Sequence, residues 1–393
     1  MSLLLDALFN SVAYGHMIVD VLNSQRTVLF TYWSQAHGMS NATLAIVSTV
    51  YVWVASLSQP VFGWIADRYG KARLLAGGGI LWMTGFFAAA LFLPVEWAIP
   101  CLILGSLGSA AFHPVGTMQA TLRGKSLLAG RETTSTSWFF VFGQLGYFAG
   151  PIVGGMLLQA FGPPGVVLLA LPAVLIGLNA LWRLKQAVIL PRPAVAVTER
   201  SRPAAGKAFL VALAVVASLQ AWTQQNIITF TPKYLADLGQ PATVYGWMAG
   251  LFMGGSALGN VLGGTLADRF GRRRVAGIML ALAGIPILLI SLLGWSPALY
   301  LLVPLAGLCT GAVHSIIVVL AQQAIGGGMA LASGLTLGFM FSAGALGTLL
   351  SGPLADARGF PPVFQMTAGL AVVAAVVTLF LREKQANKQT AGM

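Results

Sequence analysis

The stretch GWIADRYGKAR at residues 63–73 returns as GTLADRFGRRR at residues 264–274, an offset of 201 residues. Each copy joins glycines to an Asp–Arg dipeptide, closes on a basic cluster, and stands between two long apolar runs. The same offset recurs outside the motif: His113 lies 46 residues after Asp67, and His314 lies 46 residues after Asp268. A loop motif and a histidine repeated at one separation imply two homologous halves.

The composition says where such halves reside. Of 393 residues, 57% are hydrophobic and 8% charged, against about 25% charged in a soluble domain. The 47 glycines and ten tryptophans suit closely packed helices with aromatic rings at the lipid interface. Runs of roughly 20 apolar residues, enough to cross hydrocarbon, centre near Asp20, Ala55, Thr84, Ala110, Phe148, Leu175, Gln220, Gly255, Ala283, Ser315, Phe341 and Val372. Only helices satisfy their own backbone over such lengths. The expected architecture is an all-α integral membrane protein of twelve transmembrane helices in two pseudo-symmetric six-helix bundles. One bundle covers residues 1–185 and the other 208–382, with a Pro- and Arg-rich linker at 186–207 and a tail at 383–393. Cys101 and Cys309 fall inside apolar runs and are read neither as a disulfide nor as metal ligands. The first run has no basic n-region or cleavage site, so it is not expected to be a signal peptide.

Alternating the runs across the membrane puts 19 of the 22 basic residues on one side, leaving Arg26, Lys233 and Arg358 opposite. The positive-inside rule makes the basic side cytoplasmic, with both termini there. The net charge of +12 therefore reflects topology, and nucleic acid is not an expected partner. The expected partners are membrane lipid and a small-molecule substrate, with the chain acting as a monomer.

Inside the runs a few polar residues stand out. In HMIVD (16–20), His16 and Asp20 share a helical face with Asn23, Ser24 and Thr27. A carboxylate at the bilayer centre costs about 2.5–3.5 kcal/mol, so Asp20 needs a partner. Burial favours its neutral form and a histidinium its charged form, which suits a group that loads and releases a proton. Asp20 is the expected proton-coupling carboxylate and His16 its partner; the alternative is a static pair that fixes the first helix. The fourth run offers Ser106, Ser109, His113 and Thr117, and the seventh Gln220, Thr223, Gln224 and Thr231. His314 with Thr310 supplies a matching wall of the tenth, or else a plain interhelical hydrogen bond. A path between two repeats runs near the midplane, so Ser109, His113, Gln220, Gln224 and His314 are the expected substrate contacts. Arg26 joins them as a contact for an anion, unless it snorkels to the outer surface. No metal triad, activated nucleophile or phosphate loop is present, so no enzyme and no cofactor beyond the coupling proton is expected.

In the loop motif, Gly63, Gly70, Gly264 and Gly271 suit tight turns and close helix contact, while Asp67 and Asp268 can pair with arginine or a helix N-terminus. This GxxxDRxG pattern, once in each half, resembles the signature of the major facilitator superfamily. The resemblance implies the major facilitator fold and a cytoplasmic gate of Asp67, Arg68, Asp268 and Arg269 that latches the halves in the outward-open state. The plainer reading leaves these charges to set topology alone. GYFAGPIVGG (146–155), with Gly146, Gly150, Pro151, Gly154 and Gly155, resembles the antiporter motif of drug–proton exchangers, and GALGTLLSGP (344–353) echoes it. Generic tight packing is the alternative.

HMIVD, VASLSQPVFGWIADRYG (54–70), GSAAFHPVG (108–116) and LASGLTLGFMFSAGALG (331–347) together resemble the fosmidomycin resistance proteins, bacterial inner-membrane exporters within that superfamily. The resemblance implies roles for His16, Asp20 and His113 in proton-driven efflux of a small phosphonate. Val115 stands where that family carries an acidic residue, Arg26 where it is apolar, and the mid-helix Arg of other drug antiporters is absent from the fourth run. The expectation is a proton-coupled antiporter exporting a small drug-like or anionic compound by alternating access; the alternative is a proton symporter importing a small organic anion.

Overall fold

The computed structural model describes residues 3–69, 71–127, 132–186, 206–324 and 329–381, and no strand occurs among them. The helices are α1 (Ala7–Ala36), α2 (Asn41–Leu57), α3 (Gln59–Tyr69), α4 (Gly79–Ala90), α5 (Val95–Leu127), α6 (Glu132–Gly165) and α7 (Ala170–Arg183). After the linker follow α8 (Lys207–Asp237), α9 (Ala242–Phe270), α10 (Arg272–Leu293), α11 (Leu299–Ala324), α12 (Met329–Arg358) and α13 (Phe360–Val377). Most of the linker and all of the tail lie outside the described residues.

Local chemistry places the ends. Asp6 caps α1 by accepting the Phe9 N–H at 2.7 Å, and Ser40 caps α2 by accepting that of Thr43 at 3.0 Å. Near the end of α6 the chain turns at Gly162, whose φ of 67° excludes most side chains, with Pro163 and Pro164 following at once. Gly271, at φ 92°, makes the corner between α9 and α10.

Among the described residues, eight helical stretches are long and apolar enough to cross a membrane, short of the expected twelve. The difference has physical reasons. Ser135–Arg183 counts once but is folded into two helices at Gly162, and Leu74–Ala90 begins with a π turn and falls short. α1 carries its buried polar stripe and α9 its glycines and the Asp268–Arg269 pair, which lower their apolarity.

The packing follows the repeat. α2 lies on α12, α6 lies on α9, and α1 meets α8. Adding 201 to the α2 range gives 242–258, the first part of α9, and adding it to α6 gives a range overlapping α12, so the first two contacts exchange under the repeat. Small residues set the distances: a Cβ on Gly155 would meet Ala242 O and Gly246 Cα, and Gly255, Gly259 and Gly263 lie against the α11 backbone at Pro304, Leu308 and Ala312.

Polar ties across the halves collect at the end where α1 finishes and α2 begins. The Asp356 carboxylate, on α12, accepts the N–H groups of Asn41 at 2.7 Å and Ala42 at 2.9 Å, and so caps a helix of the other half. Gln35 donates to Ala236 O at 2.6 Å, and the Ala242 N–H donates to Gln159 Oε1 at 3.0 Å. Farther along, Thr49 donates to Ala345 O at 2.8 Å. At the same end as the polar ties, Lys233 is buried and paired with Asp237.

At the opposite end Arg123 of α5 grips Asp6 with two guanidinium donors, one of them Nε at 3.0 Å. Burial pushes the Asp6 carboxyl up, but the Arg123 guanidinium and the N–H groups of Phe9 and Leu8 outweigh it and hold the carboxyl below its usual range.

Two outcomes follow. A group with a lowered native pKa adds stability that is complete above the ordinary carboxylate range and fades as pH falls through the lowered value. Thermal unfolding of the detergent-solubilised protein should therefore lose stability in acid, and Asp6→Asn should flatten that part of the profile. Gly146→Val drives its side chain into Met17 O on α1 and should cost about 1–3 kcal/mol. Gly63→Ala, whose Cβ would meet Pro114 Cβ at an ordinary 3.6 Å, should leave the melting temperature unchanged.

Candidate functional site

His16 and Asp20 stand one turn apart on α1, each 3% exposed. His16 Nδ1 lies 2.8 Å from Phe139 O. A carbonyl oxygen only accepts, so Nδ1 carries the hydrogen and Nε2 is left facing Asp20 Oδ2 at 3.2 Å. His113 arrives from α5 in the same way. Its Nδ1 donates to Ser109 O at 2.8 Å, and its Nε2 lies 3.5 Å from Asp20 Oδ1.

Two imidazoles thus address one carboxylate, each with its tautomer fixed from behind. In a neutral ring of this tautomer Nε2 bears a lone pair, and its contact with an ionised carboxylate is repulsive until a proton enters. Each added proton turns such a contact into a hydrogen bond. One nitrogen or oxygen from each of the three side chains lies within 4.8 Å of the others, and His113, with 20% of its side chain exposed, is the most open of the three residues.

α6 covers this cluster. Phe139 stacks on His16 with ring centroids 4.1 Å apart. A Cβ on Gly143 would fall 2.5 Å from His16 Cε1 and 2.7 Å from Asp20 Oδ2, so only glycine lets α6 lie there. The next glycines continue the row: Gly146 meets Met17 O, Gly150 meets Ser24 Oγ and Val21 O, and Gly154 meets Gln25 Oε1. Gln25 in turn donates to Gly150 O at 2.8 Å. Gly155 and Pro151 face α9 instead.

On its other side the carboxylate meets Asn23, whose Nδ2 lies 3.2 Å from Asp20 Oδ1 and 2.8 Å from Ser109 Oγ. Tyr51 of α2 donates to Asn23 Oδ1 at 2.8 Å. Arg26 lies over the Tyr51 ring, its Cζ 5.4 Å from the centroid, beside a small cavity lined with Thr27, Thr31, Ser48 and Thr229. Among the described residues Arg26 forms no ion pair. Its side chain is partly buried.

Other expected residues are placed differently. Ser24 and Thr27 donate to their own helix, at Val21 O and Ser24 O. Gln220 donates to Thr310 O at 3.0 Å and Gln224 to Ser256 Oγ at 2.9 Å, which ties α8 to α11 and α9 apart from the Asp20 cluster. His314 has Phe341 as a ring neighbour at 6.4 Å and no hydrogen-bond partner among the described residues. The offset of 201 carries His16 to Ala217 and Asp20 to Ala221, so the second half has no counterpart of the pair.

In the loop motifs, Arg68 packs over Trp64 and Tyr69, Arg269 over Phe270, and the 77% exposed Asp268 side chain lies 3.9 Å from Arg272. The Asp67 side chain and Gly70 lie outside the described residues. The close approach expected at Gly63 and Gly264 is not present, since a Cβ there would meet its nearest neighbours at 3.6 and 3.8 Å. Phe139, Gly143 and the Asn23–Tyr51 contact escaped the sequence reading, because each depends on which helices meet.

A family model described as Major Facilitator Superfamily matches residues 21–224 and again residues 211–393. The chain is 28% identical over 373 residues to the uncharacterized MFS-type transporter YfnC of Bacillus subtilis, covering 91% of this chain and 88% of that one. It is 23% identical over 394 residues to the fosmidomycin resistance protein of Escherichia coli, covering 96% and 93%. A crystal structure of the nucleoside transporter NupG aligns at a TM-score of 0.75 over 96% of this chain and 100% of its own, and at 17% identity that likeness carries the fold alone. Since the family model is met once in each half of the repeat first read from the loop motif, the chain belongs to the Major Facilitator Superfamily of multi-pass membrane transporters.

Proposed function

We propose that the protein is a monomeric proton-coupled antiporter of a bacterial inner membrane that exports a small drug-like or anionic compound by alternating access. The observation that carries this reading is the pair of tautomer-fixed histidines on the buried carboxylate of Asp20. Such a cluster stores protons at its contacts, and cargo beside the half-buried His113 competes with them. The resistance named in one relative supports export, as does the glycine row that lays α6 on α1.

With both termini in the cytoplasm, the end tied by Asp356, Gln35 and Gln159 faces the periplasm. Cargo enters from the cytoplasm among Ser109, His113, Gln220, Gln224 and His314, and a proton leaves Asp20. Opening the periplasmic end breaks the Asp356 cap, while Asp67, Arg68, Asp268 and Arg269 close the cytoplasmic end. A proton from outside then reloads the cluster as cargo departs.

Arg26, lacking an ion-pair partner beside its small cavity, favours a second reading. A proton on Asp20 removes the repulsion between its carboxylate and an anion held there, which is the sense of a proton symporter importing a small organic anion.

Proteoliposomes with an internal pH-sensitive dye, challenged in chelator-containing buffer with phosphonates, organic acids and lipophilic drugs, separate these readings. Antiport moves protons against the cargo flux and symport moves them with it. Asp20→Asn should abolish either response; normal coupling in that variant would make Asp20 structural and sink both readings. Asp356→Ala removes a cap whose loss costs about 0.5–2 kcal/mol and should shift the population toward the outward-open form. Spin-label distances between the Asn41 end of α2 and the Asp356 end of α12 should lengthen accordingly.

A further inference from the structure

Asn23 lies one turn from Asp20 and makes three side-chain contacts, each with a different neighbour. An ionised carboxylate only accepts, so the amide must turn Nδ2 toward Asp20 Oδ1; its second N–H reaches Ser109 Oγ, and Oδ1 is left for the Tyr51 hydroxyl. While Asp20 is charged, the Tyr51 hydrogen is therefore committed to Asn23. The Arg26 guanidinium lies over the same tyrosine ring, at the edge of the small cavity.

We propose that Asn23 is a positioning residue that passes the protonation state of Asp20 to the hydroxyl of Tyr51. This rests on the reading of Asp20 as the proton site. A proton arriving through His113 neutralises Asp20 and removes the charge assistance that held the amide in place, since hydrogen bonds to ionised groups are about twice as strong as neutral ones. Turned over, the amide accepts the Asp20 O–H through Oδ1 and donates through Nδ2 to Tyr51 Oη. The tyrosine hydrogen is then released from Asn23. No bond other than that to the transferred proton forms or breaks.

The groups that face Asp20 are His16 on its own helix, His113 from α5 and, through Asn23, Tyr51 from α2. Tyr147 of α6 and Arg26 complete the charged and titratable neighbourhood, Tyr147 being within Coulombic range of Asp20, Arg26 and Tyr51. Tyr51, the ring over which Arg26 lies, thus has a free hydroxyl hydrogen only in the proton-loaded state, which carries the state of Asp20 to a neighbour of Arg26 without direct contact between the two.

Infrared difference spectra of the full-length protein in liposomes, recorded between neutral and acid buffer without cargo, test the relay. Acidification of the wild type should raise a protonated-carboxyl band that is absent in Asp20→Asn, and a tyrosine band that titrates in step with it and is absent in Tyr51→Phe. In Asn23→Leu the carboxyl band should remain while the tyrosine band is lost; Asn23→Ala repeats the test if the leucine variant is not monodisperse. A tyrosine band that survives both Asn23 variants, or none in the wild type, overturns the relay and leaves Asp20 as the proton site. Absence of any carboxyl band in the wild type overturns the underlying reading instead.

Discussion

A carboxylate inside hydrocarbon must be partnered or neutralised, at a cost of about 2.5–3.5 kcal/mol on insertion scales, and the first half of this chain is built around that demand. Asp20 is answered by His16, His113 and Asn23, three residues from two helices. Holding them requires backing at a second level: Phe139 O and Ser109 O fix the tautomers, and Ser109 Oγ and Tyr51 fix the amide. The site is therefore as much a property of where α2, α5 and α6 cross α1 as of the side chains that bear charge.

That crossing depends on residues without chemistry of their own. The row Gly143, Gly146, Gly150 and Gly154 brings the α6 backbone onto α1, while Gly155 turns the same helix toward α9 in the other half. One helix thus carries both the roof of the buried cluster and a contact between halves. Any rocking at the α6–α9 contact acts on a helix that touches His16 and Asp20, a mechanical route between charge and conformation.

Much of this was legible in the sequence. The offset of 201 residues and the apolar runs gave the two-half membrane architecture, and HMIVD places His16 and Asp20 on one face by helical periodicity alone. The family resemblance implied a role for His113 but not its contact with Asp20, since residues 93 positions apart meet through packing that periodicity does not encode. Asn23 was on the expected stripe, but Tyr51, its acceptor's partner, lies on another helix. Gly63 and Gly264 illustrate the opposite error: a motif glycine suggested tight contact, and the neighbouring atoms stand at ordinary distance. The count of crossings was obscured for a related reason, because the residues that make α1 useful also make it less apolar.

The repeat preserves the helices but not the chemistry: where the first half has His16 and Asp20, the second has Ala217 and Ala221. Such a difference between the halves amounts to a division of labour within one chain. In the proposed exchange the first half supplies the energy transduction, and its buried charges tolerate little change. The second half, with amide and hydroxyl groups on α8, α9 and α11 and no buried acid to protect at those positions, is free to drift toward new cargo. Redesign of specificity would therefore start from the wall that holds Gln220 and Gln224, leaving the power source on the other side untouched.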